Sequence, residues 1–168
     1  MFKNLFGKKD ESPVDSTLEI KSPFNGKYVK LEDIPDPVFA EKMMGEGFGI
    51  EPSEGEVVSP AAGEVMQVFP TNHAIGIKTA NGIELLIHIG LETVAMEGEG
   101  FTGHVSEGDS VEVGDKLVTF NMELVKKEAN STISPVIVTN SDILKSFEIV
   151  ETGDVSKAYT VVAKAEVN

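Results

Sequence analysis

Thr71-Asn72-His73-Ala74-Ile75-Gly76-Ile77-Lys78-Thr79-Ala80-Asn81-Gly82-Ile83-Glu84-Leu85-Leu86-Ile87-His88-Ile89-Gly90 is the stretch that decides the fold. Two strand-like apolar runs flank Ala80-Asn81-Gly82. Asn-Gly between such runs is the strongest short-range hairpin signal, because a type I′ turn needs positive φ at both central residues. With Asn81 and Gly82 as the central pair, Ala80 faces Ile83, Thr79 faces Glu84 and Ile75 faces His88. Side chains alternate between faces with period two, so His73 is predicted on the face of His88. It is then the diagonal neighbour, roughly 7–8 Å away at the backbone. A slip of one residue would put the two on opposite faces.

Outward from the hairpin, the signals are those of an all-β domain. Short runs rich in β-branched residues, at 57–58, 64–69, 111–113, 116–120 and 135–138, alternate with Gly, Pro and Asn. The expected architecture is an antiparallel β-sandwich or flattened barrel with a few short helical turns. Helical pieces are expected at 37–44, ending at Gly45, at 123–129, and at 141–145 with Ser141 or Asn140 as cap. Ser22-Pro23-Phe24-Asn25-Gly26 echoes Ser59-Pro60-Ala61-Ala62-Gly63, a weak internal repeat. The run Val105 to Leu117 has the cadence of a lipoyl- or biotinyl-type hammerhead, but the position of the modified lysine is taken by Asn121-Met122-Glu123.

Residues 1–17 read as a flexible tail and 18–168 as the domain. In the tail, Phe2, Leu5 and Phe6 share one helical face beside lysines, a pattern suited to weak contact with an anionic membrane surface. Residues 10–17 have linker composition. No secretory signal is evident and no stretch is long and apolar enough to span a membrane, so a cytoplasmic location is expected.

The formal net charge is −14, and every basic residue is a lysine. Nucleic-acid binding is disfavoured, because it needs a basic surface. A basic protein partner is favoured by the same charge. Absence of arginine also means no bidentate phosphate clamp. Absence of cysteine excludes disulfides, thiol catalysis and thiolate metal ligands.

The candidate chemistry therefore falls to the histidines His73, His88 and His104. His88 sits among Leu86, Ile87 and Ile89, where burial lowers a histidine pKa and keeps the ring neutral. A neutral imidazole with a free nitrogen is a nucleophile or a metal ligand. The Thr71 hydroxyl is placed to bond the far nitrogen of His73 and fix its tautomer. His104 lies in a Gly-His-Val turn and reads as a surface residue. Three functions compete. Zinc hydrolysis normally needs three protein ligands, and the His-x-His and His-x-x-x-Asp motifs of related peptidases are missing. A binding module without chemistry is the second. The third is phosphoryl relay through a phosphohistidine, which suits a chain with no arginine to clamp the group it must pass on.

The motifs then point to a family. They are Ile34-Pro35-Asp36-Pro37-Val38-Phe39-Ala40-Glu41-Lys42-Met43-Met44-Gly45, Val58-Ser59-Pro60-Ala61-Ala62-Gly63, Pro70-Thr71-Asn72-His73-Ala74, Leu85-Leu86-Ile87-His88-Ile89-Gly90-Leu91-Glu92-Thr93-Val94 and Glu97-Gly98-Glu99-Gly100-Phe101. From about Leu18 onward the chain resembles the glucose-family enzyme IIA of the bacterial phosphoenolpyruvate-dependent sugar phosphotransferase system. The resemblance implies that His88 accepts a phosphoryl group on Nε2 from the phosphocarrier HPr and passes it to a cysteine of a IIB domain. It implies that His73 hydrogen-bonds that group and that Thr71 orients the His73 ring. It implies a docking face at Val38, Phe39, Met43, Met44, Phe69, Leu86 and Val94, with Asp36 and Glu92 suited to a basic partner. No cofactor is required, although zinc bound by His73 and His88 with a partner's carboxylate occurs in some relatives. A monomer visiting the inner face of the membrane with its permease is expected. Ala95 departs from the acidic residue of enteric members, which softens charge steering.

Overall fold

A computed structural model describes residues 15–168 of the chain. The amphipathic part of the expected tail, residues 2–9, lies outside that range. The described chain runs β1 (Thr17–Lys21), β2 (Gly26–Val29), α1 (Pro37–Ala40), β3 (Glu46–Pro52), β4 (Glu56–Val58), β5 (Gly63–Val68), β6 (Ala74–Lys78) and β7 (Glu84–His88). It continues β8 (Phe101–Gly103), β9 (Ser110–Val111), β10 (Lys116–Phe120), α2 (Met122–Glu128), β11 (Ser134–Val138), β12 (Leu144–Ile149), β13 (Asp154–Val155) and β14 (Val161–Val167). One large antiparallel sheet has the order β13-β2-β3-β11-β7-β6-β5-β9, and two small sheets have the orders β1-β14-β12 and β4-β10-β8. The main core between them includes Phe24, Phe48, Ile50, Ile75, Ile77, Leu85, Ile87, Leu117 and Val118. The expected all-β sandwich with short helical turns is the observed architecture.

A second, smaller core of Leu31, Ile34, Phe39, Leu91 and Ile137 has Leu86 and Met44 packed against it. Strand β7 runs between the two. Its odd-numbered residues Leu85 and Ile87 face the main core, while Leu86 faces the satellite cluster. Alternation along a strand thus gives both faces of β7 apolar cover.

The β6–β7 register differs from the expectation by one residue. Ala74 pairs with His88, Ile75 with Ile87 and Lys78 with Glu84. The loop is longer than a two-residue type I′ turn: Thr79 N–H donates to Ile83 O and Gly82 N–H to Thr79 O, and Gly82 alone of the Asn-Gly pair has positive φ, at 89°. That is the pattern of a three-residue hairpin, a turn followed by a left-handed glycine. Asn81 is held otherwise: its side chain accepts from the Thr79 hydroxyl at 2.6 Å and donates to the Asp15 carbonyl at 3.1 Å.

The helices are short for local reasons. Asp36 caps α1 by accepting from Val38 N–H at 3.0 Å, with Pro37 at the first position. Asn121 caps α2 in the same way through Leu124 N–H. The expected third piece is a single 3-10 turn, Ser141–Ile143, and Asn140 makes no cap bond to it. The Asn140 side chain instead accepts from Glu84 N–H at 2.9 Å and donates to Gly82 O at 2.8 Å, stapling the hairpin turn.

The weak repeat has a structural counterpart. The Ser22 hydroxyl donates to Phe24 O at 2.6 Å and the Ser59 hydroxyl to Ala61 O at 2.7 Å, both side chains fully buried. The two copies exchange matching bonds, Lys21 N–H to Pro60 O and Val58 N–H to Pro23 O.

Candidate functional site

His73 and His88 come together, with ring centroids 5.1 Å apart and planes at 75°. Strand alternation does not produce this convergence, since with Ala74 opposite His88 a strand residue at 73 would lie on the other face. His73 is not in a strand. It is the last residue of the loop joining β5 and β6, after Asn72, which takes a left-handed φ of 59°. A tight turn brings Asn72 N–H to Phe69 O at 2.7 Å, and the His73 carbonyl accepts from Ile89 N–H at 2.8 Å. The loop, rather than strand periodicity, turns the ring toward His88.

Each ring is fixed by one nitrogen. Nδ1 of His73 is hydrogen-bonded to the Thr71 hydroxyl. Nδ1 of His88 lies 2.7 Å from the Gly90 carbonyl oxygen. A carbonyl only accepts, so Nδ1 of His88 carries the proton and Nε2 keeps its lone pair. Aromatic edges complete the walls: Phe69 lies 5.3 Å from the His73 ring and Phe39 5.5 Å from that of His88.

Both rings are held neutral. His73 is 5 % exposed, and burial followed by the proximity of His88 brings its pKa down to about 4. Burial also lowers the pKa of His88, against opposing pulls from the Gly90 carbonyl and the Asp36 carboxylate.

The loop after His88 is unusually well tied. Ile89 O accepts from the Thr93 hydroxyl at 2.6 Å, and Gly90 N–H donates to the Ser134 hydroxyl at 2.9 Å. Leu91 N–H donates to Ser131 O at 2.9 Å, and Leu91 O accepts from Asn130 N–H at 3.1 Å. With the bonds of Ile89 N–H and Gly90 O already described, every main-chain polar atom of residues 89–91 has a partner.

Comparison with known proteins now bears on this geometry. Residues 18–144 match the model of a family described as "phosphoenolpyruvate-dependent sugar phosphotransferase system, EIIA 1". The chain belongs to this EIIA family. It is 58 % identical, over the whole of both chains, to the "PTS system glucose-specific EIIA component" of Staphylococcus aureus strain Mu50. It is 62 % identical over 88 % of both chains to the protein of the same name from Halalkalibacterium halodurans. Among solved structures it resembles "glucose permease IIA from Mycoplasma capricolum", with a TM-score of 0.84 and 41 % identity over 89 % of this chain and 96 % of that one.

The other residues singled out in this EIIA chain fall into distinct settings. Val38, Met43 and Val94 are exposed apolar side chains, at 41 %, 71 % and 56 %. Met44, Phe69 and Leu86 are half-buried, and Phe39 is buried in the satellite core, where it packs on His88. Asp36 is half-buried at the start of α1, and Glu92 is exposed in a left-handed conformation, φ 60°. His104 is exposed; its ring lies 3.0 Å from the Thr119 hydroxyl and its backbone N–H donates to Leu117 O at 2.9 Å. Sequence reasoning missed Met66, 42 % exposed, whose side chain closes on Gly76, the cross-strand partner of Leu86. It also assigned no part to Gly90 or Ser134. The glycine in the His-x-Gly motif was the one visible signal; the serine lies 44 residues from it.

No group of three or more His, Cys, Asp and Glu gathers as a metal site among the described residues. The two imidazoles supply two ligands, and His88 has one nitrogen committed to Gly90. The described residues alone do not assemble the three or four ligands that zinc takes.

Proposed function

We propose that this EIIA chain is a phosphocarrier of sugar uptake that takes a phosphoryl group on Nε2 of His88 from phosphorylated HPr and delivers it to a cysteine of a IIB domain. The observation that carries the reading is the contact of His88 Nδ1 with the Gly90 carbonyl, which reserves the Nε2 lone pair for phosphorus. The N–P bond to His88 forms as the donor's N–P bond breaks, and that electron pair returns to the donor nitrogen. The Nδ1 proton stays in place. The ring therefore takes on cationic character as it is phosphorylated, and its bond to Gly90 becomes charge-assisted.

His73 is the holding group. With the Thr71 hydroxyl donating into Nδ1, the His73 proton sits on Nε2 and can donate to a phosphoryl oxygen. The His73 ring, neutral down to about pH 4, binds the group through one hydrogen bond and not through a full charge. That strength suits a group that must leave again. The exposed apolar side chains of Val38, Met43 and Val94 and the half-buried Met44, Phe69 and Leu86 form the docking face, with the buried Phe39 packed beneath it against His88. Asp36 and Glu92 favour a basic partner. The protein acts as a monomer in the cytoplasm, visiting the membrane with its permease; no helix among the described residues is long and apolar enough to cross a membrane. A metal bridging the two histidines would need a carboxylate from a bound partner, and phosphoryl transfer does not need it.

The test is incubation with phosphoenolpyruvate, enzyme I and HPr. An acid-labile, base-stable label is expected on the wild type and on His73→Ala but not on His88→Ala. Label persisting on His88→Ala would overturn the assignment.

A further inference from the structure

The carbonyl that aims His88 belongs to a residue whose own amide is held from a distant strand. Gly90 N–H donates to Oγ of Ser134, the first residue of β11, at 2.9 Å. The Ser134 hydroxyl donates onward to Thr132 O at 2.9 Å. Its side chain is fully buried. A chain of bonds thus runs from β11 through Ser134 and Gly90 to Nδ1 of His88. We propose that Ser134 is a positioning residue for phosphoryl acceptance, acting through Gly90 to hold the His88 proton on Nδ1. This rests on the phosphocarrier reading above.

Gly90 sits where the two bonds meet. Its amide and carbonyl flank one Cα in the left-handed region, φ 68°. The amide has Ser134 as its partner and the carbonyl has His88. Removing the Ser134 hydroxyl leaves a buried N–H without an acceptor, and such a group is driven to reorient or admit water. Any rotation about Gly90 moves its carbonyl too. The Nδ1 proton then loses the acceptor that selects its position, and the tautomer is no longer set. A histidine protonated on Nε2 has no lone pair there for phosphorus. The neighbouring anchors do not substitute: Thr93 holds the Ile89 carbonyl and Ser131 the Leu91 amide, one residue to either side.

The test uses the full chain, with ring-nitrogen NMR of isotope-labelled histidine and the kinetics of phosphoryl acceptance from phosphorylated HPr. The wild type is expected to show neutral His88 protonated on Nδ1. Ser134→Ala should show a mixture with the proton on Nε2, and kcat should fall about tenfold at unchanged KM. Ser134→Thr keeps the hydroxyl and should retain the wild-type tautomer and rate. Should Ser134→Ala not fold, Ser134→Cys replaces it, nearly the same shape but a weak acceptor, with the same shift expected. A His88 tautomer unchanged in the Ala or Cys variant, or shifted equally in the Thr variant, overturns the proposal. The two readings separate cleanly. Label on His88 with an unresponsive tautomer sinks the positioning role alone. A responsive tautomer without label on wild-type His88 sinks the phosphocarrier reading and leaves the coupling standing.

Discussion

The two ends of the β6–β7 hairpin are made from the same parts and do different things. Each has a glycine at positive φ, Gly82 at 89° and Gly90 at 68°. Each has polar side chains reaching onto the main chain from elsewhere, Asn140 at one end and Ser134 and Thr93 at the other. At the turn, those bonds close on the backbone and the account is complete. At the far end they continue through Gly90 and Thr71 onto imidazole nitrogens and stop there, and no described residue hydrogen-bonds the remaining nitrogen of either ring. The packing differs as well. A Cβ at Gly82 meets nothing within 4 Å, whereas one at Gly90 would come within 2.9 Å of Thr93 Cγ2 and 3.0 Å of Ser131 O. One end only has to reverse the chain. The other holds two rings in place, and it is built without slack.

Four measurements would break or sharpen that contrast. The largest effect is expected at the rings themselves. His73→Gln should still accept the phosphoryl group, while delivery to a IIB domain falls about a hundredfold or more, the usual loss when one donor to a developing charge is removed. Unimpaired sugar phosphorylation would mean that the holding role belongs elsewhere. Next comes Gly90→Ala, which combines left-handed strain with two close contacts. It should lose about 3 kcal/mol in urea denaturation and also depress acceptance. Normal acceptance in a destabilised variant would separate the loop's packing from its chemistry.

The third concerns pH. The folded-state pKa of His73 is about 4, well below the ordinary value of about 6.5. Between those values the unfolded chain binds the proton and the folded one does not, so stability falls as pH drops from about 6.5 toward 4. His73 accounts for up to about 3 kcal/mol of that loss. Between neutral and mildly acidic pH the wild type should lose more stability in denaturation than His73→Gln; equal losses would show that His73 is not held neutral by burial. The smallest effect is at the turn. Gly82→Ala should cost about 1 kcal/mol from the backbone alone and leave phosphoryl acceptance at the wild-type rate. A rate loss there would show that the two ends are mechanically joined.

Sequence carried the strands and the histidine pair further than it carried their geometry. The β-branched runs and Gly-Pro-Asn punctuation located the strands because those signals are local. Asn81-Gly82 marked a hairpin correctly and its register wrongly. Whether Asn81 takes positive φ depends on bonds to Asp15 and on Asn140 holding Gly82, contacts 66 and 58 residues away in sequence. Convergence of His73 on His88 was expected from strand alternation and arises from a left-handed Asn72 in a loop. Phe39 was read as a docking residue and lies buried against His88, because the satellite core under α1 depends on Ile137 and Leu91 from remote parts of the chain. Ser134 gave no sign of its contact with Gly90, since nothing near it in sequence points across the sheet.

Strand β7 lies between two cores, and His88 is at its end with one nitrogen tied down. A carrier that displays its cargo on a lysine at a hairpin tip has a long tether and can swing between stations. This one has no tether. On the proposed assignment of His88 its cargo site is stationary, so transport would be done by the visitors: the donor would have to leave before the recipient could arrive, and both would read the same patch of surface. Throughput would then be governed by turn-taking among partners, and anything lingering on that patch, productive or not, would slow the whole line.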